Sequence, residues 1–454
     1  MLLMRKSVPR SVALLLFAAA MLAACHSSEG PAPSRPPELP IEPPPVPVVP
    51  APVAPGFLPP VDVGARVGEP GFRVAKDGTI WVHAPGGLWK STDNGESFEE
   101  VTAALGPGPV FGGDADLAIG RNGSLYYTDL EGLVYISVFR SHDNGVTWQE
   151  NPFASELPGD DRQWIETGPD ASPLSLGAEA IYLVFNHIPT NVFLTKSIDG
   201  GATWIGRTVV LTTPQTQFWS MGNLLVDPKD GALHMIYALG NALQPIGDGT
   251  VPVDYQLRMS TSTNGGLTWS ESIVADTVGN SGEIFPVTAR DSEGGLYAAW
   301  AVEEGGRDLV QMAWSVDNGA SWSPPVTLND EGTSGVMPWI DVSTPGHAVV
   351  AWYQTDQAVL SSVAPGDWFV QMASTTDARN PLARWNEARV WDEPVKSGFI
   401  CTVGIMCRSG GRELLDFFEV RIGADGYPAL VFADAAHGDS TIVYYTRQLT
   451  GPRL

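Results

Sequence analysis

The densest group of chemically capable side chains lies in one unrepeated stretch, Gly398 to Phe418, which reads GFICTVGIMCRSGGRELLDFF. It brings Arg408, Arg412, Glu413 and Asp416 close together. Two carboxyl groups are what acid–base cleavage of a glycosidic bond requires. A guanidinium makes forked hydrogen bonds to carboxylates or sugar hydroxyls. The plainer reading of Arg412 and Asp416 is a buried bridge that seats the insertion. Asp160, Asp161, Arg162, Trp164 and Glu166 open another apolar run, and Glu283 opens a third. Glu166, Glu283, Glu413 and Asp416 are therefore the candidate acids or bases, and Arg162 and Arg412 the candidate grips. Trp164, Trp219 and Trp339 could stack on sugar rings, although core packing is the plainer role for each. His187, His234, His347 and His437 are scattered without metal-ligand spacing. Neither a serine-nucleophile elbow nor a phosphate loop is present. No metal or cofactor is expected, with a structural calcium left open.

These residues need a scaffold, and a recurring word supplies it. Ser315 to Trp322 is SVDNGASW; Ser91 to Phe98, Ser141 to Trp148, Ser197 to Trp204 and Ser262 to Trp269 repeat it, with Asn264 in the Asp slot. A worn copy begins at Ser374, retaining Asp377 and Trp385. The copies start 50 to 65 residues apart, a period that signals a solenoid, propeller or array. Within the word, Asp93, Asp143, Asp199, Asn264 and Asp317 can accept backbone N–H bonds and hold a tight turn. The following Gly supplies the conformation, and the aromatic residue packs over it. The word is a hairpin lock and performs no chemistry.

A second phrase, a Gly turn followed by an apolar strand, occurs seven times, from Asp77-Gly78-Thr79 to Asp425-Gly426-Tyr427. Each copy has a short apolar run before it and a third strand after it. Evenly spaced short strands with Gly turns and no convincing helix predict an all-β fold, and four strands per unit predict a β-propeller. Seven units against six locks favour seven blades, with six as the alternative. The seventh unit lacks room for a fourth strand, which Phe57 to Val67 could supply by pairing the two ends of the chain.

Residues 1–24 look like a secretory signal, with Arg5, Lys6 and Arg10 before an apolar core. Leu22-Ala23-Ala24-Cys25 resembles a bacterial lipobox, which implies cleavage before Cys25 and lipidation of its thiol. With His26 and Ser27 following, the resemblance to enterobacterial sorting rules implies an outer-membrane lipoprotein of the cell envelope. Residues 25–60 form a Pro-rich linker, with fourteen prolines between 31 and 60. At roughly 3.1 Å per residue it could extend on the order of 90 Å. Residues 61–454 remain for the propeller. Cys401 and Cys407, close together in an exported chain, are expected to form a disulfide. The formal net charge of −25 argues against nucleic acid as a partner. Beyond the membrane reached through the lipid anchor, the expected partner is a glycan or protein, and the domain is expected to be monomeric.

The lock resembles the Asp-box, or BNR repeat, of the sialidase superfamily, over the body from about Ser91 to Trp385. The resemblance implies a propeller whose Asp-boxes lie on the rim away from the active site. The same repeat occurs in other glycoside hydrolases and in non-enzymes, so fold does not fix function. Sialidases open with a Phe/Tyr-Arg-Ile-Pro motif whose Arg begins a carboxylate-gripping triad. Gly71-Phe72-Arg73-Val74-Ala75 is similar but lacks the Pro, and makes Arg73 a candidate grip. No clear second and third arginines or Tyr–Glu nucleophile pair accompany it. Asp114 or Asp116 could occupy the general-acid region. The expected role is recognition of a glycan or protein at the channel face. The alternatives are an exo-acting, sialidase-like glycoside hydrolase, a polysaccharide lyase with His187 as base, and an envelope scaffold.

Overall fold

The computed structural model describes residues 55–454 except 107–112, 153, 156–158, 174, 176, 188–190, 212–217, 247–248, 277–284, 405–406 and 408–409; it also leaves undescribed the side chains at 218–219 and 241–255. The leader, Cys25 and nearly all of the Pro-rich linker lie outside the described residues, as do Glu283, Arg408 and the side chain of Trp219.

Seven antiparallel sheets form a seven-bladed β-propeller. The inner strands are Gly71–Val74, Ala115–Ile119, Asp160–Pro169, Phe218–Val226, Val287–Arg290, Ser334–Val342 and Glu419–Ile422. The second strands lie between neighbouring blades and are buried on both faces. They therefore read as continuous apolar runs rather than alternations. Most carry at least one large buried ring, among them Trp81, Tyr127, Tyr182, Tyr237, Tyr297 and Tyr353. A buried Tyr hydroxyl needs a partner, and two find one in the next blade. Tyr297 accepts from the Gly346 amide at 2.9 Å, and Tyr353 accepts from the Ala433 amide at 2.9 Å.

The seventh blade is completed by the other end of the chain. Gly56–Phe57 and Val61–Asp62 both pair antiparallel with the last strand, Ile442–Thr450. The sequence expectation of a ring closed by its two ends is met, and the ring takes up the final residues of the Pro-rich segment.

The locks are built as a reciprocal bond set. Ser315 Oγ donates to Asp317 at 2.8 Å and accepts the Gly319 amide at 2.9 Å, while Asp317 accepts the Ser321 amide at 2.9 Å. The same bonds recur at Ser91, Ser141, Ser197 and Ser262. Hydroxyl and amide donors hold the Asp93, Asp143 and Asp317 carboxyls down to about 2. The Gly needs its φ of +77° at position 145, and a Cβ there would meet Trp81 of the preceding blade at 2.3 Å. Each such lock is thus a rivet between blades as well as a turn. In the worn copy, the buried Ser374 Oγ has no hydrogen-bond partner. Ser315→Ala, which orphans a buried amide, is expected to cost about 2 kcal/mol. Ser374→Ala is expected to cost under about 0.5 kcal/mol. Urea midpoints of the two variants check the contrast.

Candidate functional sites in the central channel

Side chains alternate along a strand, so each inner strand sends every second residue into the channel. The turns that end these strands lie beside the locks, as the Asn144 to Asp77 bond at 3.1 Å shows. The channel is consequently stacked in three layers from the mouth to the lock side.

At the mouth, Glu69, Asp114, Asp161, Arg162, Arg412 and Asp416 lie within electrostatic reach of one another. Burial first, then Asp114 and Asp416, push the Glu69 carboxyl well above its ordinary range. Burial and Asp114 push Asp161 up to about 6. Arg162 sits at a register shift between Asp161 and Gln163 with φ of +30°, an uncommon conformation for a side-chain-bearing residue. Its guanidinium lies 3.6 Å over the Trp164 ring centre, a cation–π contact. Arg162 is only 4% exposed, yet none of its three side-chain nitrogens has a hydrogen-bond partner among the described residues.

Beneath it is an aromatic layer of Trp164, Phe285, Trp339 and Phe417, with ring centres 5.5–6.3 Å apart among the contacting pairs.

Below the rings lies a cavity of about 230 Å³. Every blade contributes a polar side chain to its lining, Arg73, Asp116, Glu166, Asn223, Thr288, Asp341 and Arg421 in chain order, and the fifth adds Arg290, which lies 2.7 Å from Asp227. Glu419 joins two of them. It lies 2.9 Å from the Arg73 guanidinium and 3.0 Å from that of Arg421, and accepts the Phe72 amide at 3.1 Å. Burial raises the Glu419 carboxyl, but Arg421 and Arg73 outweigh it and hold it at about 2. Asp116 accepts from Arg73 at 3.2 Å and from the Leu117 and Ile165 amides. Burial raises Glu166 and Asp341 above the usual carboxylate range. Burial also holds the His83 imidazole down to about 3, so it is neutral. His83, Asp116 and Glu419 converge within 4.8 Å. A cation among them would have to compete with two guanidinium groups and three amides for the same oxygens.

The sequence candidates are therefore divided by the aromatic layer. Arg162, Arg412 and Asp416 meet at the mouth; Arg73 and Glu166 meet in the chamber; Trp164 and Trp339 form the wall between. Arg412 and Asp416 make the bridge that the plainer reading gave them, with Nε to Oδ1 at 3.2 Å. Glu413 stands apart, half exposed and 3.1 Å from Lys396. Cys401 and Cys407 are disulfide-bonded. His187, the base considered for a lyase, is 3.0 Å from Asp160. Glu69, Asn223, Thr288, Asp341, Glu419 and Arg421 were missed. Counting two residues along the inner strands, as from Phe417 to Glu419 to Arg421, is the signal that could have found several of them.

No protein-family model matches the chain, and no curated protein matches it. Among solved structures, it is similar to a Dyadobacter fermentans protein of unknown function at 13% identity and a TM-score of 0.45, with 88% of this chain and 99% of that one covered. It is also similar to the Hadza microbial sialidase Hz136 at 14% and 0.42, covering 75% and 65% respectively. A Penicillium chrysogenum α-L-arabinanase complexed with arabinobiose is similar at 18% and 0.41, covering 73% and 92%. The blade assignment rests on the sheet topology, not on these likenesses.

Proposed function

We propose that this chain is a lipid-anchored propeller of the cell envelope that recognises a glycan at the channel mouth opposite the locks. The observation that carries the reading is the buried Arg162 guanidinium without a hydrogen-bond acceptor on any nitrogen. A buried charge with unmet donors is costly, and a ligand acceptor relieves it. A neutral sugar residue offers lone pairs to Arg162 and hydroxyl protons to the surrounding carboxylates. A polyanion would meet the four acidic groups of the mouth and a chain of net charge −25. A second reading, hydrolysis of the bound glycan, is favoured by the raised Glu69 and Asp161 carboxyls. A carboxyl still protonated near neutral pH can donate to a leaving glycosidic oxygen.

The test is a panel of immobilised neutral and acidic glycans. Retention of neutral glycans that Arg162→Ala removes is expected; retention unchanged in that variant would sink the mouth as the site. With fluorogenic glycosides, any turnover is expected to show an inflection near pH 6 that Asp161→Asn removes. The anchor is tested separately in a bacterial host. Metabolic palmitate labelling and membrane association are expected for the full chain, with both lost in Cys25→Ala. Labelling that survives the substitution would remove the anchor from the proposal.

A further inference from the structure

We propose that the lock-side chamber is a second ligand site, separate from the mouth, for a neutral polyhydroxylated molecule of monosaccharide size. Its charge balance comes first. Arg73 and Arg421 are matched by Glu419 and Asp116 through direct contacts, and Arg290 by Asp227 at 2.7 Å. Glu166 and Asp341 are left over, each with one oxygen taken by a backbone amide, from Thr167 at 2.9 Å and from Ile422 at 2.7 Å. Both side chains line the chamber. An anionic ligand is disfavoured there.

Two observations distinguish a polyol from a simple cation. Trp164 lines the chamber, is 1% exposed, and its indole N–H has no acceptor among the described residues. A buried donor without a partner calls for an oxygen, which a bare cation does not bring. Trp164 and Trp339 also give the chamber apolar wall beside the polar ring, the pairing of faces that a sugar presents. Hydroxyl groups can donate to Glu166 and Asp341 and accept from Trp164 at once. A volume of about 230 Å³ would otherwise hold roughly eight waters at ~30 Å³ each.

The experiment is calorimetry on the folded full chain with a panel of free pentoses, hexoses and linear polyols, alongside sodium, potassium, magnesium and calcium chlorides. Saturable binding of at least one free polyol is expected, weakened tenfold or more in Glu166→Gln and in Asn223→Ala and kept within twofold in Arg412→Lys, whose side chain pairs with Asp416 outside the chamber. Asp341→Asn is a further isosteric variant should Asn223→Ala fail to fold. Loss of binding in Arg412→Lys with retention in the chamber variants would assign the polyol to the mouth and overturn the proposal. Absence of saturable binding by every polyol, or binding by a cation alone, would overturn it as well. Failure of glycan capture at the mouth leaves this outcome unaffected, because the aromatic layer separates the two sites.

Discussion

Arg162→Met is expected to make the protein more stable and to abolish the glycan capture proposed for the channel mouth. The native guanidinium is buried, strained at its backbone and without a hydrogen bond on Nε or either terminal nitrogen. It stacks on Trp164, with Phe417 and Phe285 at 4.6 and 5.3 Å, and it lies within electrostatic reach of Glu69 and Asp161. An unbranched thioether can lie over the same rings and makes favourable sulfur–aromatic contacts. Removing a buried donor group that is left unsatisfied recovers a desolvation cost of about 1–3 kcal/mol, and a gain in the lower half of that range is expected at pH 5.

The gain should shrink as pH rises. Glu69 and Asp161 already have raised folded-state values, so their ionisation destabilises the fold progressively once pH passes the unfolded value near 4. Removing Arg162 takes away a charge that favours their ionised forms, raises both further, and deepens that loss. Denaturant midpoints at pH 5 and pH 8 measure the difference, and glycan capture measures the functional side. A variant that loses stability at both pH values and still captures glycan would make Arg162 a structural cation and leave the mouth without its grip.

What could be read from the sequence divides along the range of the interactions involved. The lock is eight residues long and contains its own bond set: Ser315, Asp317, Gly319 and Ser321 satisfy one another. Five good copies therefore fixed a propeller, and the Gly turns between first and second strands counted its blades. The channel has no such word. Its eight polar lining residues come from all seven blades, each blade with a different local sequence, and become neighbours only when the ring closes. Counting alternate residues fails in three blades because the inner strands shift register at Asp161/Gln163, Met221/Leu224 and Val336/Trp339. The first of these shifts is what places Arg162 over Trp164. Arg162 was visible as a charge near an aromatic residue; that it lacks a partner is a property of the folded channel alone. The worn lock shows the converse. Its aspartate was recognisable, but the loss of the serine's bonds was not.

Glu419→Gln is expected to be the most damaging single substitution in the channel. Glu419 opens the seventh blade's inner strand and binds Arg73 and the Phe72 amide of the first blade, so its carboxylate fastens the ring where the two ends of the chain meet. The amide side chain is isosteric and can still accept from Phe72, but the charge is gone. Asp116 then remains to face Arg73, and Arg421 loses the carboxylate it contacts at 3.0 Å. Breaking a buried ion pair in this way costs about 3–5 kcal/mol. The loss follows pH with a definite sign. The folded carboxyl lies at about 2 against an ordinary value of 4.5, so its contribution is complete above pH 4.5 and disappears as pH falls through about 2. Wild type and variant should differ most at pH 7, less at pH 3.5, and converge towards pH 2, with unfolding slopes that stay equal. A gap that persisted undiminished at pH 2 would mean the variant suffers from misplaced packing rather than from lost charge, and a gap under about 1 kcal/mol at pH 7 would move the fastening of the ring to the paired terminal strands. The expected ordering has a physical basis: those strands exchange backbone bonds at a wet edge, whereas Glu419 holds two guanidinium groups that water does not freely reach.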